Sequence, residues 1–107
     1  MSYPYKSVIG NWSADLINKF FKILPMWEQN VTTLPIYLEG LKDDLVNCSI
    51  VVTEFKSDGD YLTLVCILQL LISNPDLNTN KVRRQIFRAI NICNTLRARY
   101  SVQEVSS

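Results

Sequence analysis

The spacing of apolar and polar positions along the chain predicts mainly helices. The clearest case is Asn78–Tyr100, where apolar residues recur on one side of a helix projected at about 100° per residue. That side is predicted to face the core, and it consists of Val82, Ile86, Ala89, Ile90, Cys93, Leu96 and Tyr100. Phe87 and Ile92 fall outside this stripe.

Two more helices are predicted in the first half of the chain. Ser13 is a good N-cap, and Pro25 disfavours helix at the residue before it, which predicts a helix over Ser13–Ile23. Thr33 and Pro35 are typical of a cap and first turn, which predicts a second helix reaching Val46. Their spaced apolar residues are Leu16, Ile17, Phe20, Phe21 and Leu24 in the first, and Tyr37, Leu38, Leu41 and Leu45 in the second.

The middle of the chain favours a small β-hairpin. Ser49–Phe55 is rich in β-branched residues, and Asp58-Gly59 separates it from Tyr61–Leu64. Asp-Gly between two such runs is a strong hairpin signal. The hairpin is expected to lead into a helix over Val65–Ser73, which Asn74-Pro75-Asp76 ends. The competing interpretation is a helix capped by Ser57 that begins near Asp60.

These elements predict an α+β, mainly helical fold: a compact single domain of four or more helices with one small β-hairpin. A chain of 107 residues has room for one domain. We expect residues 1–11 to form an N-terminal arm, residues 12–102 the globular domain and residues 103–107 a polar tail. The longest apolar run, Tyr61–Ile72, is shorter than the about 20 residues that a membrane span needs.

Charge is distributed unevenly. Residues 1–80 hold five lysines and nine acidic residues, whereas residues 81–99 hold six basic residues and no acidic one. On the last helix Lys81, Arg84, Arg88 and Arg99 form a stripe away from the core face. Two interpretations stay open: a solvated face that balances the acidic remainder, or a surface that recognises anions, since arginine suits carboxylate and phosphate.

The chemistry of an enzyme is largely missing from the sequence. The chain has no histidine, the commonest general base and metal ligand. The three cysteines lack zinc-site spacing, and three glycines form no phosphate loop. The acidic pairs Asp43-Asp44 and Asp58/Asp60 fall on a helix surface and in a turn. We expect no catalytic residue, no metal and no cofactor.

The cysteines and tryptophans are expected to serve the core. Cys48, Cys66 and Cys93 lie among apolar neighbours and indicate free thiols in a reducing compartment. Cys66 in particular is expected to be buried and inert. Trp12 and Trp27 are expected at the edge of the core, with interface anchors as the alternative.

The segment Asp58–Leu68 resembles the C-terminal domain of rhabdovirus phosphoproteins, of the lyssavirus type, in its Asp-Gly turn followed by a Leu-x-Leu-x-Cys-aliphatic-Leu run. Other segments follow in the family's order: Trp12-Ser13-Ala14, Lys19–Lys22 with Pro25 after it, Tyr37–Lys42 and Leu96–Ser101. Arg97–Val102 is similar to the vesiculovirus end. The resemblance covers about 12–102, which implies the C-terminal domain of a longer phosphoprotein.

The resemblance implies a non-catalytic polymerase cofactor. It would bind the RNA-bound nucleoprotein and tether the viral polymerase to this template, in the host cytoplasm and in the virion. The family's basic patch maps to Lys19, Lys22 and Ile36, although Val65 stands where the family has an arginine. Its apolar hollow, a site for host signalling proteins, maps to Cys66, Leu70 and Cys93, and Leu70 stands where the family has tryptophan.

The charge pattern of the sequence and the family resemblance indicate different basic surfaces. The charge pattern favours Arg84 and Arg88, the resemblance favours Lys19 and Lys22, and both could act if the two helices pack side by side. Two other functions stay open: a direct RNA-binding domain that uses the arginine stripe, or an antagonist of host interferon signalling on the same scaffold. Direct nucleic-acid binding is not expected, since aromatic residues are not interleaved with the arginines. No membrane partner is expected.

Overall fold

Four helices form the part of the molecule that the structure describes. The computed structural model describes the backbone of residues 3–105 and the side chains of residues 12–99. The helices are α1 (Tyr3–Glu28), α2 (Leu34–Val51), α3 (Gly59–Ser73) and α4 (Thr79–Val105), with a 3-10 turn over Thr53–Ser57 between α2 and α3. Each helix packs against the one before it, and α4 packs most extensively on α1. The result is an up-and-down four-helix bundle about 46 × 22 × 20 Å in size.

The predicted β-hairpin was wrong, because residues 3–105 contain no strand. The two-residue hairpin turn needs positive φ at its central residues, and no glycine of the described chain has positive φ. Asp58 instead caps α3: its Oδ1 accepts hydrogen bonds from the backbone N–H groups of Asp60 (2.9 Å) and Tyr61 (3.2 Å). The competing interpretation of a capped helix was nearer, with the cap at Asp58 rather than Ser57. The fold is therefore mainly helical.

The β-branched residues before the turn are divided between two elements. Ile50 and Val51 lie in the last turn of α2, which continues beyond the predicted end at Val46. Val52 and Phe55 are buried against the bundle. The predicted start of α2 is confirmed, with Thr33 as N-cap and Pro35 in the first turn.

Helix α1 is longer than predicted at both ends. It continues past Pro25 to Glu28, so the expected end at Ile23 was wrong. Proline removes one backbone N–H from the last turn, but the helix gains the burial of Trp27, whose indole N–H donates to the carbonyl of Leu77 (3.0 Å). Residues 3–11, expected to belong to an N-terminal arm, form the first turns of the α1 backbone. Residues 1, 2, 106 and 107 of the expected arm and tail lie outside the described part.

The predicted core face of α4 is confirmed for six of its members, which are all buried; the side chain of Tyr100 lies outside the described residues. They meet apolar residues of the other three helices in a single core. At one end the ring of Trp12 stacks on Phe55 (centroids 5.2 Å apart) and Tyr61 (5.8 Å). Trp12 therefore packs against the edge of the core, as expected, whereas Trp27 is buried within it.

Candidate functional site

The contact between α1 and α4 brings two exposed aromatic rings together. Phe21 and Phe87 lie with ring centroids 6.2 Å apart and ring planes 82° to each other. Their exposed fractions are 43% and 46%. Nearby, Arg83 Nη2 lies 3.4 Å from Glu28 Oε1, which joins the start of α4 to the end of α1. The two helices are therefore antiparallel, with the aromatic pair on their outer seam.

Three basic residues flank this pair on the outer sides of the two helices. Helical geometry places Arg84 about 60° and Arg88 about 100° around α4 from Phe87, and Lys22 about 100° around α1 from Phe21. All three are exposed, and none makes an ion pair with a residue whose side chain is described. We call these five residues (Phe21, Lys22, Arg84, Phe87 and Arg88) the α1–α4 face. Helices α1 and α4 pack side by side, which is the condition under which both basic surfaces could act together.

Lys19, predicted for the same patch as Lys22, is turned toward α2. Its Nζ lies 3.0 Å from Asp15 Oδ2 and 4.0 Å from Asp44 Oδ2. The hydrogen bond to Asp15 raises the pKa of Lys19 above its ordinary value, and the charges of both aspartates add to this effect. The charge of Lys19 is therefore already balanced by two carboxylates, unlike that of Lys22.

Ile36 shares a shallow groove with Lys19 between α1 and α2. It is 74% exposed and lies beside Tyr37 and Gly40. The Tyr37 hydroxyl donates to the backbone carbonyl of Lys19 (2.8 Å), and burial raises the pKa of Tyr37. The patch implied by the resemblance is thus divided: Lys19 and Ile36 line the groove, and Lys22 belongs to the α1–α4 face.

The arginine stripe also divides into two parts. Arg99 Nη1 lies 2.6 Å from Asp58 Oδ2, and Arg99 Nη2 lies 2.6 Å from Asp60 Oδ2. These two hydrogen bonds raise the pKa of Arg99, and the bond to Asp58 has the larger effect. Arg99 therefore joins α4 to the start of α3 and serves the fold, whereas Arg84 and Arg88 are available to a partner. Lys81 is exposed at the start of α4.

The prediction that Cys66 is buried was wrong. Cys66 is exposed, and so is Leu70 one turn further along α3. Cys93 is fully buried, and burial raises its pKa to about 12. A hollow open to solvent could therefore be lined by Cys66 and Leu70 but not by Cys93, which removes one member of the implied site for host signalling proteins.

The sequence pattern does not identify Phe21 and Phe87 as exposed residues of a binding surface. The helical period places Phe21 in the core stripe of α1 and leaves Phe87 outside the stripe of α4 without a role. An aromatic residue between Arg84 and Arg88 is the available signal. The expectation that no aromatic residue is interleaved with the arginines was therefore wrong.

The described residues offer no other obvious chemistry. Among them, no group of three or more cysteine, aspartate and glutamate side chains is placed to hold a metal ion. No helix of the described chain combines the length and apolarity that crossing a bilayer requires.

Comparison with known proteins adds no relative. No family model, no curated protein and no solved structure gives a significant match to the chain.

Proposed function

We propose that this domain is a non-catalytic docking module. It binds the RNA-bound nucleoprotein of a virus and tethers the polymerase to that template during RNA replication and transcription, in the host cytoplasm and on nucleocapsids of the virion. The observation that carries this proposal is the α1–α4 face, where three cations without an ion pair among the described side chains flank an exposed aromatic pair. The resemblance to rhabdovirus phosphoproteins supplies the identity of the partner.

The charges of the face favour an anionic partner. Glu28 at the end of α1 is already paired with Arg83. An incoming carboxylate can therefore meet Lys22, Arg84 and Arg88 without displacing a partner among the described side chains. Arginine binds carboxylates through two parallel hydrogen bonds, and a localised positive field speeds the encounter with an acidic surface.

The other acidic residues with described partners support a binding role over catalysis. Asp58 caps α3 and pairs with Arg99, and Asp60 pairs with the same arginine. Asp15 and Asp44 hold Lys19. These carboxylates are engaged in contacts that hold the helices together, which is a structural role and not a catalytic one.

The test is a titration of the domain on nucleoprotein–RNA rings by calorimetry or biosensor. We expect Arg84→Ala with Arg88→Ala to weaken binding by at least about 1 kcal/mol. The matched control is Lys56→Ala with Arg97→Ala, which removes the same charge from exposed positions away from the face. Thermal melts should show all four substitutions to be nearly neutral for folding, since exposed charges contribute little to stability.

The two lysines of α1 offer a second comparison. Lys22→Ala should weaken binding more than Lys19→Ala, because Asp15 and Asp44 already neutralise Lys19. Equal losses in the arginine double variant and its control would mean that only net charge matters. Unchanged affinity in the arginine double variant would mean that the basic stripe is a solvated face, and the proposal would fail.

Direct binding of RNA is the second candidate, and one observation favours it. Phe87 is exposed and lies between Arg84 and Arg88 in the sequence, and aromatic rings near cations can stack on bases. Binding to free single-stranded RNA would weaken steeply with salt. We expect weak or no binding to free RNA near physiological salt, and micromolar affinity there would reverse the ranking of the two functions.

A further inference from the structure

The α1–α4 face contains more than charge, because its centre is apolar. Phe21 and Phe87 both belong to the exposed large apolar side chains of the described chain, and they contact each other across the seam. We propose that this aromatic pair is the anchor site for one apolar side chain, carried by a short acidic protein segment of the partner. This inference rests on the proposed function and specifies the chemistry of the segment that is bound.

The geometry of the two rings suits an apolar side chain that packs over them. Ring planes at 82° form a corner, with the face of one ring beside the edge of the other. Aromatic residues at the centre of an interface, surrounded by polar groups that exclude water, commonly carry most of the binding energy. Lys22 on α1, and Arg84 and Arg88 on α4, supply polar groups on the two flanks of the pair, where they can bind carboxylates on either side of the anchor.

The limits of the positive surface favour a short acidic segment over a nucleic acid. On the α2 side of α1, two carboxylates (Asp15 and Asp44) lie around the single cation Lys19, which leaves that side with a net negative charge. A polyanion that extends beyond the face would meet these carboxylates, and the chain as a whole carries a net charge of only +1. Bases also stack on open, flat ring faces, whereas these rings are half-buried and perpendicular.

The first experiment measures affinity for nucleoprotein–RNA rings at several salt concentrations. Phe87→Ala should reduce affinity at least about tenfold, with the slope of log affinity against log salt unchanged because no charge is lost. Phe87→Leu keeps an apolar group at the seam and should lose less. The matched control is Leu62→Ala on α3, diagonal to α1 and of similar exposure (48%), which should bind like the unaltered protein.

The second experiment tests the anchor without nucleoprotein. The probes are two short synthetic peptides of aspartate and glutamate, one with a central tryptophan and the other with alanine in its place. The unaltered domain should bind the tryptophan peptide several-fold more tightly, and Phe87→Ala should remove that preference. Failure of the rings to bind, together with a preference for the tryptophan peptide, would contradict the proposed function and leave the anchor supported.

Two results would overturn the anchor itself. One is equal binding of both peptides by the unaltered domain, since charge alone would then explain the interaction. The other is tighter binding of a single-stranded oligouridylate than of either peptide, lost in Phe87→Ala. That result would make the aromatic pair a platform for bases.

Discussion

At the scale of single residues, the three cysteines differ in access to solvent. Cys66 is exposed, Cys48 is half-buried and Cys93 is fully buried. Burial raises the pKa of both Cys48 and Cys93, although a hydrogen bond with Tyr61 partly opposes this for Cys48. The thiolate is the reactive form of cysteine, so both burial and a raised pKa slow its reactions.

We therefore expect one thiol of the native protein to react rapidly with a disulfide reagent at neutral pH, and Cys66→Ser to abolish that fast phase. The same substitution should change the free energy of unfolding by less than about 0.5 kcal/mol, as at most surface sites. Cys93→Ser, which places a hydroxyl in the core, should cost about 1–3 kcal/mol. Rapid labelling of Cys93 in the native protein would contradict the packing of α4 on the core.

The buried thiol of Cys93 also predicts a dependence of stability on pH. Its pKa is raised from 9.0 to about 12 in the folded state, so the folded protein keeps a proton that the unfolded chain releases. The contribution of this proton to the free energy of unfolding is fully present below pH 9. It is lost as the pH rises toward 12, by up to about 1.4 kcal/mol per pH unit. Urea unfolding under reducing conditions should show a shallower decline in Cys93→Val above pH 9. Parallel declines in the two proteins would contradict this assignment.

At the scale of elements, one side chain joins two helices. Asp58 caps α3 through one carboxylate oxygen and pairs with Arg99 of α4 through the other. Asp58→Ala should lower the free energy of unfolding by about 1–3 kcal/mol, because cap and ion pair are lost together. Asp60→Ala removes only an ion pair and should cost less. Chemical denaturation measures both, and equal costs would mean that the cap contributes nothing.

The elements also differ in how well sequence predicts them. Helix α4 alternates apolar and charged sides, so its period alone identifies the buried face. Helix α3 is apolar on nearly all sides, so its sequence does not reveal that Cys66 points outward while Leu64 and Leu68 point inward. Asp-Gly is common in hairpin turns, so the sequence favours a hairpin, but aspartate is also a preferred N-cap of helices. The backbone φ angles distinguish the two structures, and the composition of the segment does not reveal these angles.

The candidate site is predictable only in part, because it depends on contacts between residues that are far apart in the sequence. The positive charge of α4 is evident in the sequence, and it points to Arg84 and Arg88. The pairing of Arg99 with Asp58, and of Lys19 with Asp44, joins residues far apart in the chain. Which cations remain available to a partner therefore depends on tertiary contacts. The Phe21–Phe87 contact depends in the same way on the register of α1 against α4.

At the scale of the whole molecule, the order of helices around the bundle has a consequence for folding. Three of the four helix contacts join consecutive elements through short links, whereas α1–α4 joins the first helix to the last. Local contacts form quickly, and closing the longest loop costs the most chain entropy. If docking of α4 on α1 completes folding, a partner seated on their seam would reinforce the contact made last, and so would slow unfolding more than it speeds folding.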